Sequence, residues 1–209
     1  MYYSRQNKHI KQLKSLNRLL MIIGFLILIL FYPLSFILPI TVSFENNLLE
    51  NLQLLVLILG SIYNLYLIGK SMDKQIGYFH IWCAVLMIFI AFRELSWGRV
   101  FFQIGMEENG PVFVPMSDFK WNIEVHVLIV ITILFLIIFM LRNVPLSRMF
   151  NCHVPYIILF FMILAIIFSY IGDKGLFVGK LQGQIIEEMG ELALYVLSVA
   201  LCIHYHSEL

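Results

Sequence analysis

The fold is decided by residues 122–141, which read NIEVHVLIVITILFLIIFML. Glu124 is the only acidic residue in this stretch, and no lysine or arginine interrupts it. The hydrocarbon core of a bilayer needs about 20 such residues in a helix to cross it. The sequence therefore predicts that this stretch is a transmembrane helix.

The composition agrees with a membrane protein. Of 209 residues, 61% are hydrophobic and 13% are charged, whereas a soluble domain has roughly half apolar and about a quarter charged residues. The formal net charge is +1, so we expect no nucleic-acid partner. The three cysteines are predicted to lie toward the cytoplasmic side as reduced thiols. They are Cys83, Cys152 and Cys202.

Five further stretches have the length and apolar character of transmembrane helices. They are residues 19–40, 48–68, 77–101, 154–171 and 185–204. The first is too long for the apolar region of a cleaved signal, and no small-residue cleavage pattern follows it. The sequence therefore predicts an all-α integral membrane protein, with a single domain, residues 1–209, formed by a bundle of six transmembrane helices.

The lysines and arginines between these stretches predict the orientation. Nine lie on the side of the amino terminus: Arg5, Lys8, Lys11, Lys14, Arg18, Lys70, Lys74, Arg142 and Arg148. Three lie in the opposite loops: Lys120, Lys174 and Lys180. Cytoplasmic loops carry the excess of positive charge. Both termini are therefore predicted to be cytoplasmic, in what we expect to be a bacterial cytoplasmic (inner) membrane.

Most acidic residues are predicted to lie in the outer half of the protein. They are Glu45, Glu50, Glu94, Glu107, Glu108, Asp118, Glu124, Asp173, Glu187, Glu188 and Glu191. A helical rise of about 1.5 Å per residue brings Glu50, Glu94, His126 and Glu191 to a similar depth near the outer face. Glu45, Glu107 and Glu108 are interpreted as solvated loop residues, and Glu187 and Glu188 as possible partners of a helix dipole.

Helical phase places polar residues of three predicted helices on single faces. The sixth carries Gln184, Glu187, Glu188, Glu191, Tyr195, Ser198, Cys202 and His206; the second carries Asn46, Glu50, Gln53, Ser61 and Asn64; the third carries His80, Cys83 and Glu94. Ionisable groups facing lipid are costly, so these faces should point inward. For Ser61, Asn64 and Ser198 we favour hydrogen bonding between packed helices.

The densest local signal is residues 93–99, RELSWGR. Arg93 and Arg99 could neutralise Glu94 or neighbouring carboxylates, or hold the head group of an anionic lipid or substrate. Trp97 is typical of an interfacial anchor. In the segment that begins the fourth span, Asn122 and His126 can share an inward face, which leaves Glu124 for capping or for solvent.

These segments resemble an uncharacterised group of small bacterial polytopic membrane proteins. The resemblance rests first on ELSWGR at residues 94–99. It also rests on two later segments, one holding Asn122, Glu124 and His126 and the other holding Glu187, Glu188 and Glu191, and on Glu45 and Glu50 at the start of the second span. The group's pattern has a glutamate where Arg93 stands and a glutamine near Arg99. The resemblance supports the choice of residues and implies no chemistry.

We hypothesise one outward-opening polar pocket. Its candidate catalytic residues are Glu94, His126 and Glu191; its candidate substrate-binding residues are Glu50, Arg93, Trp97, Arg99 and Asn122; its candidate ligands for a divalent metal are Glu94, His126, Glu188 and Glu191. Such a pocket suits a membrane enzyme acting on a lipid, a lipid-linked substrate or a small polar substrate. A proton- or ion-coupled transporter is the alternative, and an accessory subunit is the third possibility.

Known catalytic signatures do not decide among these functions. The sequence has no His-Glu-x-x-His zinc motif, no nucleophile elbow and no Walker phosphate loop. Glu124 and His126 have the wrong spacing for a di-metal carboxylate bundle. Haem ligation is disfavoured because only His126 is predicted to lie at the outer level, whereas four histidines lie toward the inner side: His80, His153, His204 and His206.

Overall fold

The computed structural model describes residues 2–71, 73–107, 110–176 and 178–208, with side chains from residue 10 onward. Within these residues the chain forms seven α-helices and one antiparallel hairpin. The helices are α1 (Tyr2–Ile37), α2 (Leu48–Ile68), α3 (Lys74–Glu94), α4 (Asn122–Asn143), α5 (Leu146–Asn151), α6 (Tyr156–Asp173) and α7 (Lys180–Glu208). The strands are β1 (Gln103–Glu107) and β2 (Gly110–Phe113), and short 3₁₀ helices cover Ile40–Ser43, Ser96–Phe101 and Met116–Asp118.

Five helical segments of the described chain are long and apolar enough to cross a membrane. They are Ile10–Ile37, Ile40–Ile68, Lys74–Glu94, Asn122–Asn143 and Tyr156–Asp173. The class of all-α integral membrane protein is therefore confirmed. Helix α7, whose first half carries Glu187, Glu188 and Glu191, is not among the five.

The chain divides into two compact units. The terminal unit comprises Met1–Leu38 and Pro145–Leu209, and the central unit comprises Pro39–Val144. In the terminal unit, α7 packs against both α1 and α6. Its core contains Leu28, Ile158, Ala165, Ala193, Leu197 and Ala200.

Glycines allow α6 and α7 to approach closely. A methyl group at Gly172 would lie 2.6 Å from the carbonyl oxygen of Gly183, and one at Gly190 would lie 2.9 Å from the amide nitrogen of Ser169. Small residues let membrane helices pack backbone against backbone. The sequence did not predict this contact, because the residues that meet belong to two different helices.

In the central unit, α3 packs against both α2 and α4. The indole nitrogen of Trp82 on α3 donates to the carbonyl oxygen of Leu136 at 3.0 Å. Leu136 is also the only residue of α4 that is buried. The remainder of α4 is at least partly exposed, as expected for a helix whose apolar surface faces lipid.

The structure corrects three predicted boundaries. Helix α3 ends at Glu94, not near residue 101, because the chain turns into left-handed backbone conformations immediately afterward. Helix α1 extends back through the basic amino-terminal segment to Tyr2. Helix α7 begins at Lys180, five residues before the predicted boundary. By contrast, α2 covers the predicted range, and Asn47 caps it by accepting a hydrogen bond from the amide of Leu48.

Candidate functional site

A row of buried polar side chains lies between α2 and α3. We define the polar seam as Gln53, Ser61 and Asn64 of α2 with His80, Cys83 and Glu94 of α3. Each is no more than 8% exposed. The inward orientation that helical phase predicted is therefore confirmed for these residues.

Three hydrogen bonds hold the part of the polar seam around His80. His80 Nδ1 donates to Asn64 Oδ1 at 2.8 Å, and Asn64 Nδ2 donates to the carbonyl oxygen of Gly60 at 2.8 Å. Ser61 Oγ donates to the carbonyl oxygen of Ala84 on α3 at 3.1 Å. Ser61 therefore joins the two helices as predicted. The pairing of His80 with Asn64 was not predicted, because the sequence gives the phase of each helix but not their relative register.

Glu94 forms the opposite end of the polar seam from His80. Its carboxylate oxygen Oε1 lies 3.2 Å from Nε of Arg93, whose side chain is 55% exposed. Neutralisation of Glu94 by Arg93 was one of the predicted roles of this arginine, and the two side chains do lie together. A buried carboxylate thus lies beside a cation that reaches the surface.

The chain after α3 makes an uncommon turn. Ser96, Trp97 and Gly98 have φ angles of 45°, 58° and 90°. For a bulky residue such as tryptophan, a left-handed conformation costs roughly 1–2 kcal/mol. The Trp97 ring packs edge-on against Phe89 of α3, with ring centroids 5.2 Å apart, which offsets part of this cost.

Arg99 holds the turn to the hairpin that follows it. Its Nε donates to the carbonyl oxygen of Ser96 at 3.3 Å, and its Nη1 donates to that of Val114 at 3.4 Å. Arg99 therefore stabilises the backbone after α3, and its role in anion binding stays a prediction.

Glu50 caps the amino terminus of α2. Its Oε2 accepts a hydrogen bond from the amide of Asn46 at 2.5 Å, and Asn46 has a φ of 60°. A glutamate in the first turn that accepts from a backbone amide just before the helix resembles half of a capping box. This contact accounts for Glu50 without a substrate.

The structure places His126 on an exposed surface of α4. Its Nδ1 donates to the carbonyl oxygen of Asn122 at 2.7 Å. The two residues share a face as predicted, but the imidazole is not inward. Glu124 is exposed in the first turn of α4, which agrees with its predicted position in solvent or as a cap.

The acidic residues of α7 are partly buried. Because α7 begins at Lys180, Glu187 and Glu188 lie beyond its first turn. The interpretation that the helix dipole favours them is therefore wrong, since that effect fades within one turn.

Ser198 Oγ donates to the carbonyl oxygen of Leu194 on its own helix at 2.8 Å, so this bond does not join two helices.

The hypothesised pocket draws on both units of the chain. Glu94 and His126 belong to the central unit, and Glu188 and Glu191 belong to the terminal unit. Within the part of the chain that the structure describes, no three His, Cys, Asp or Glu residues are grouped to hold a metal ion. The single pocket stays a prediction.

In the structure no disulfide joins the three cysteines, Cys83, Cys152 and Cys202. Glu108 lies outside the described residues.

Fold and composition together define the class, a helical integral membrane protein. Comparison with protein-family models, curated proteins and solved structures found no match. The resemblance in short motifs therefore stays a prediction.

Proposed function

We propose that the chain crosses the bacterial cytoplasmic membrane six times, with both termini in the cytoplasm. The nine-to-three bias of loop lysines and arginines supports this orientation. Helix α7 would be the sixth span. Its 29 residues correspond to about 43 Å, which exceeds the roughly 30 Å of a hydrocarbon core. It packs against both α1 and α6, and its Glu187, Glu188 and Glu191 are partly buried.

We further propose that the protein conducts protons as part of a proton-coupled membrane activity. The polar seam is the observation that carries this proposal. Ionisable residues that face the interior of a membrane protein commonly mark proton or ion pathways. Glu94 and His80 are fourteen positions apart on α3, which corresponds to about 21 Å along the helix. Asn64 lies level with His80, to which it is bonded, and Ser61 and Cys83 extend this polar region by about one helical turn toward Glu94.

Packing alone is the competing explanation for the polar seam, because serine and asparagine often join membrane helices. Packing does not account for a buried carboxylate at Glu94, since a neutral residue would pack with less desolvation. Arg93 Nε lies 3.2 Å from that carboxylate and the arginine side chain is 55% exposed, so this end of the polar seam approaches water. A proton could therefore be exchanged with water at this end.

Proteoliposomes containing a pH-sensitive dye and a potassium diffusion potential test the proposal. We expect proton entry above that of protein-free vesicles, and a large loss of this flux in Glu94→Gln. Glu107→Gln is the matched control, because Glu107 is an exposed carboxylate outside the polar seam. A flux that Glu94→Gln leaves unchanged, or no flux from the native protein, would overturn the proposal.

A second candidate is an enzyme acting on a lipid or lipid-linked substrate from the outer leaflet. It is favoured by the exposed Arg93 guanidinium beside Glu94 and by the exposed imidazole of His126. The hydrogen bond from Nδ1 to Asn122 leaves Nε2 of His126 as the acceptor nitrogen, an arrangement suited to proton transfer. In this form the chemistry is acid–base, with Glu94 of the same unit as the carboxylic partner.

Native mass spectrometry of the purified protein tests the second candidate. We expect a co-purified phosphate-containing lipid whose amount falls in Arg93→Gln, because arginine binds phosphate through paired hydrogen bonds. Lys120→Gln is the control, since Lys120 is an exposed cation in the same long connection. Equal lipid retention in both variants would contradict a binding role for Arg93.

A further inference from the structure

The hairpin formed by β1 and β2 has two different edges. All five residues of β1 are exposed, whereas the two end residues of β2, Gly110 and Phe113, are buried. Strand β2 therefore packs on the rest of the central unit, and β1 is the outer edge. An exposed edge strand is unusual unless something covers it or charges protect it.

The exposed edge is strongly apolar. Phe101 is 72% exposed, Ile104 is 62% exposed and Met106 is 68% exposed. These residues belong to the short segment that leads into β1 and to β1 itself. Water is a poor environment for such a concentration of large apolar side chains.

The hairpin is tied down at both ends. At its base, the amide of Val114 donates to the carbonyl oxygen of Phe102 at 3.1 Å, and Arg99 binds Val114. At its tip, a methyl group at Gly110 would lie 3.0 Å from the ring of Phe44, in the short segment before α2. The base follows the end of α3 and the tip contacts the segment that precedes α2. Since those ends of α2 and α3 lie on the same side of the antiparallel pair, the hairpin lies across the pair.

Aromatic residues surround the base of the hairpin. The rings of Phe102, Phe119 and Trp121 pack edge to face, with centroids 5.6–6.2 Å apart. The ammonium group of Lys120 lies 5.8 Å from the centroid of the Trp121 ring. Aromatic rings with a neighbouring lysine are typical of the interface between hydrocarbon and head groups.

We propose that the β1–β2 hairpin lies in the membrane interface and that lipid of the adjacent leaflet covers Phe101, Ile104 and Met106. Exposed backbone groups of β1 still reach water and head groups at this depth, whereas they would be unsatisfied in the hydrocarbon core. The hairpin is thus an interfacial anchor for the ends of α2 and α3. This role is independent of proton conduction.

Spin labelling of the full-length protein tests the proposal. Ile104→Cys and Met106→Cys are labelled in a Cys152→Ser background that keeps the buried Cys83 and Cys202, and reconstituted into phosphatidylethanolamine and phosphatidylglycerol vesicles. Relaxation by oxygen, which concentrates in lipid, is compared with relaxation by a water-soluble nickel complex. We expect oxygen to dominate several-fold at both positions. Ser117→Cys is the control, because Ser117 is exposed outside the hairpin, and there the nickel complex should dominate.

Three results would overturn the proposal. Dominance of the nickel complex at positions 104 and 106 would place the hairpin in water. Dipolar broadening between labels would identify a second copy of the chain as the covering partner. Protection from both relaxing agents would indicate that protein covers the edge.

Discussion

Gly172 of α6 lies so close to α7 that a methyl group on it would sit 2.5 Å from the amide nitrogen of Glu187. The neighbouring atoms are backbone and cannot move aside as a flexible side chain would. This contact fixes the position of α6 beside the acidic part of α7. The packing of the terminal unit therefore depends on the absence of a side chain at one position.

We predict that Gly172→Ala destabilises the protein by about 1–3 kcal/mol, the usual cost of overpacking. The midpoint of thermal unfolding in detergent measures it. Gly77→Ala is the control, because its added methyl group would meet only one atom, at 4.0 Å. Equal midpoints for the two variants would show that the close approach is not needed.

Gly98→Ala should lower stability for a different reason. No atom lies within 4 Å of the added methyl group, but Gly98 has a φ of 90°, which an alanine adopts at a cost of roughly 1–2 kcal/mol. Gly105→Ala has the same open space without a positive φ and should be nearly neutral. Chemical denaturation of both variants separates backbone strain from packing; a neutral Gly98→Ala would contradict the left-handed turn.

Glu50→Ala should cost about 0.5–2 kcal/mol, the typical effect of losing a helix cap. Glu50→Gln should be nearly as stable as the native protein, since the amide oxygen can still accept the hydrogen bond from Asn46. Thermal unfolding measures both. If the glutamine variant proves as unstable as the alanine variant, charge and not hydrogen bonding explains the contribution of Glu50.

Asn64→Leu should destabilise the central unit by about 1–3 kcal/mol, the cost of removing a partner from a buried polar group. The leucine leaves Nδ1 of His80 without the oxygen that now lies 2.8 Å away. Ser198→Ala is the control, because it removes a hydroxyl bonded within its own helix. A smaller loss of unfolding temperature for Asn64→Leu than for the control would argue against the pair.

Labelling with a membrane-impermeant maleimide checks the orientation. Ser117 and Ser147 are both exposed, and each is changed to cysteine in the Cys152→Ser background. With intact cells we expect labelling at position 117 and protection at position 147, because the charge bias places only the former outside. Preferential labelling at position 147 would reverse the orientation and place the amino terminus outside.

The sequence by itself determined the class of protein and the inward faces of α2 and α3. The length of an apolar stretch depends only on local composition, so the range of α2 was predictable. Helical period likewise placed Gln53, Asn64 and His80 on buried faces, because a regular helix repeats every 3.6 residues. These properties are local and need no knowledge of the neighbouring helix.

Only the tertiary structure decided which of these residues meet. The pairing of His80 with Asn64 depends on the register of α3 against α2, and the end of α3 depends on a left-handed turn that a regular helical period cannot predict. The contact of Gly172 with Glu187 joins residues of two helices through backbone atoms. Such contacts are fixed by the packing of whole helices, and local residue patterns carry no information about the distance between two helices.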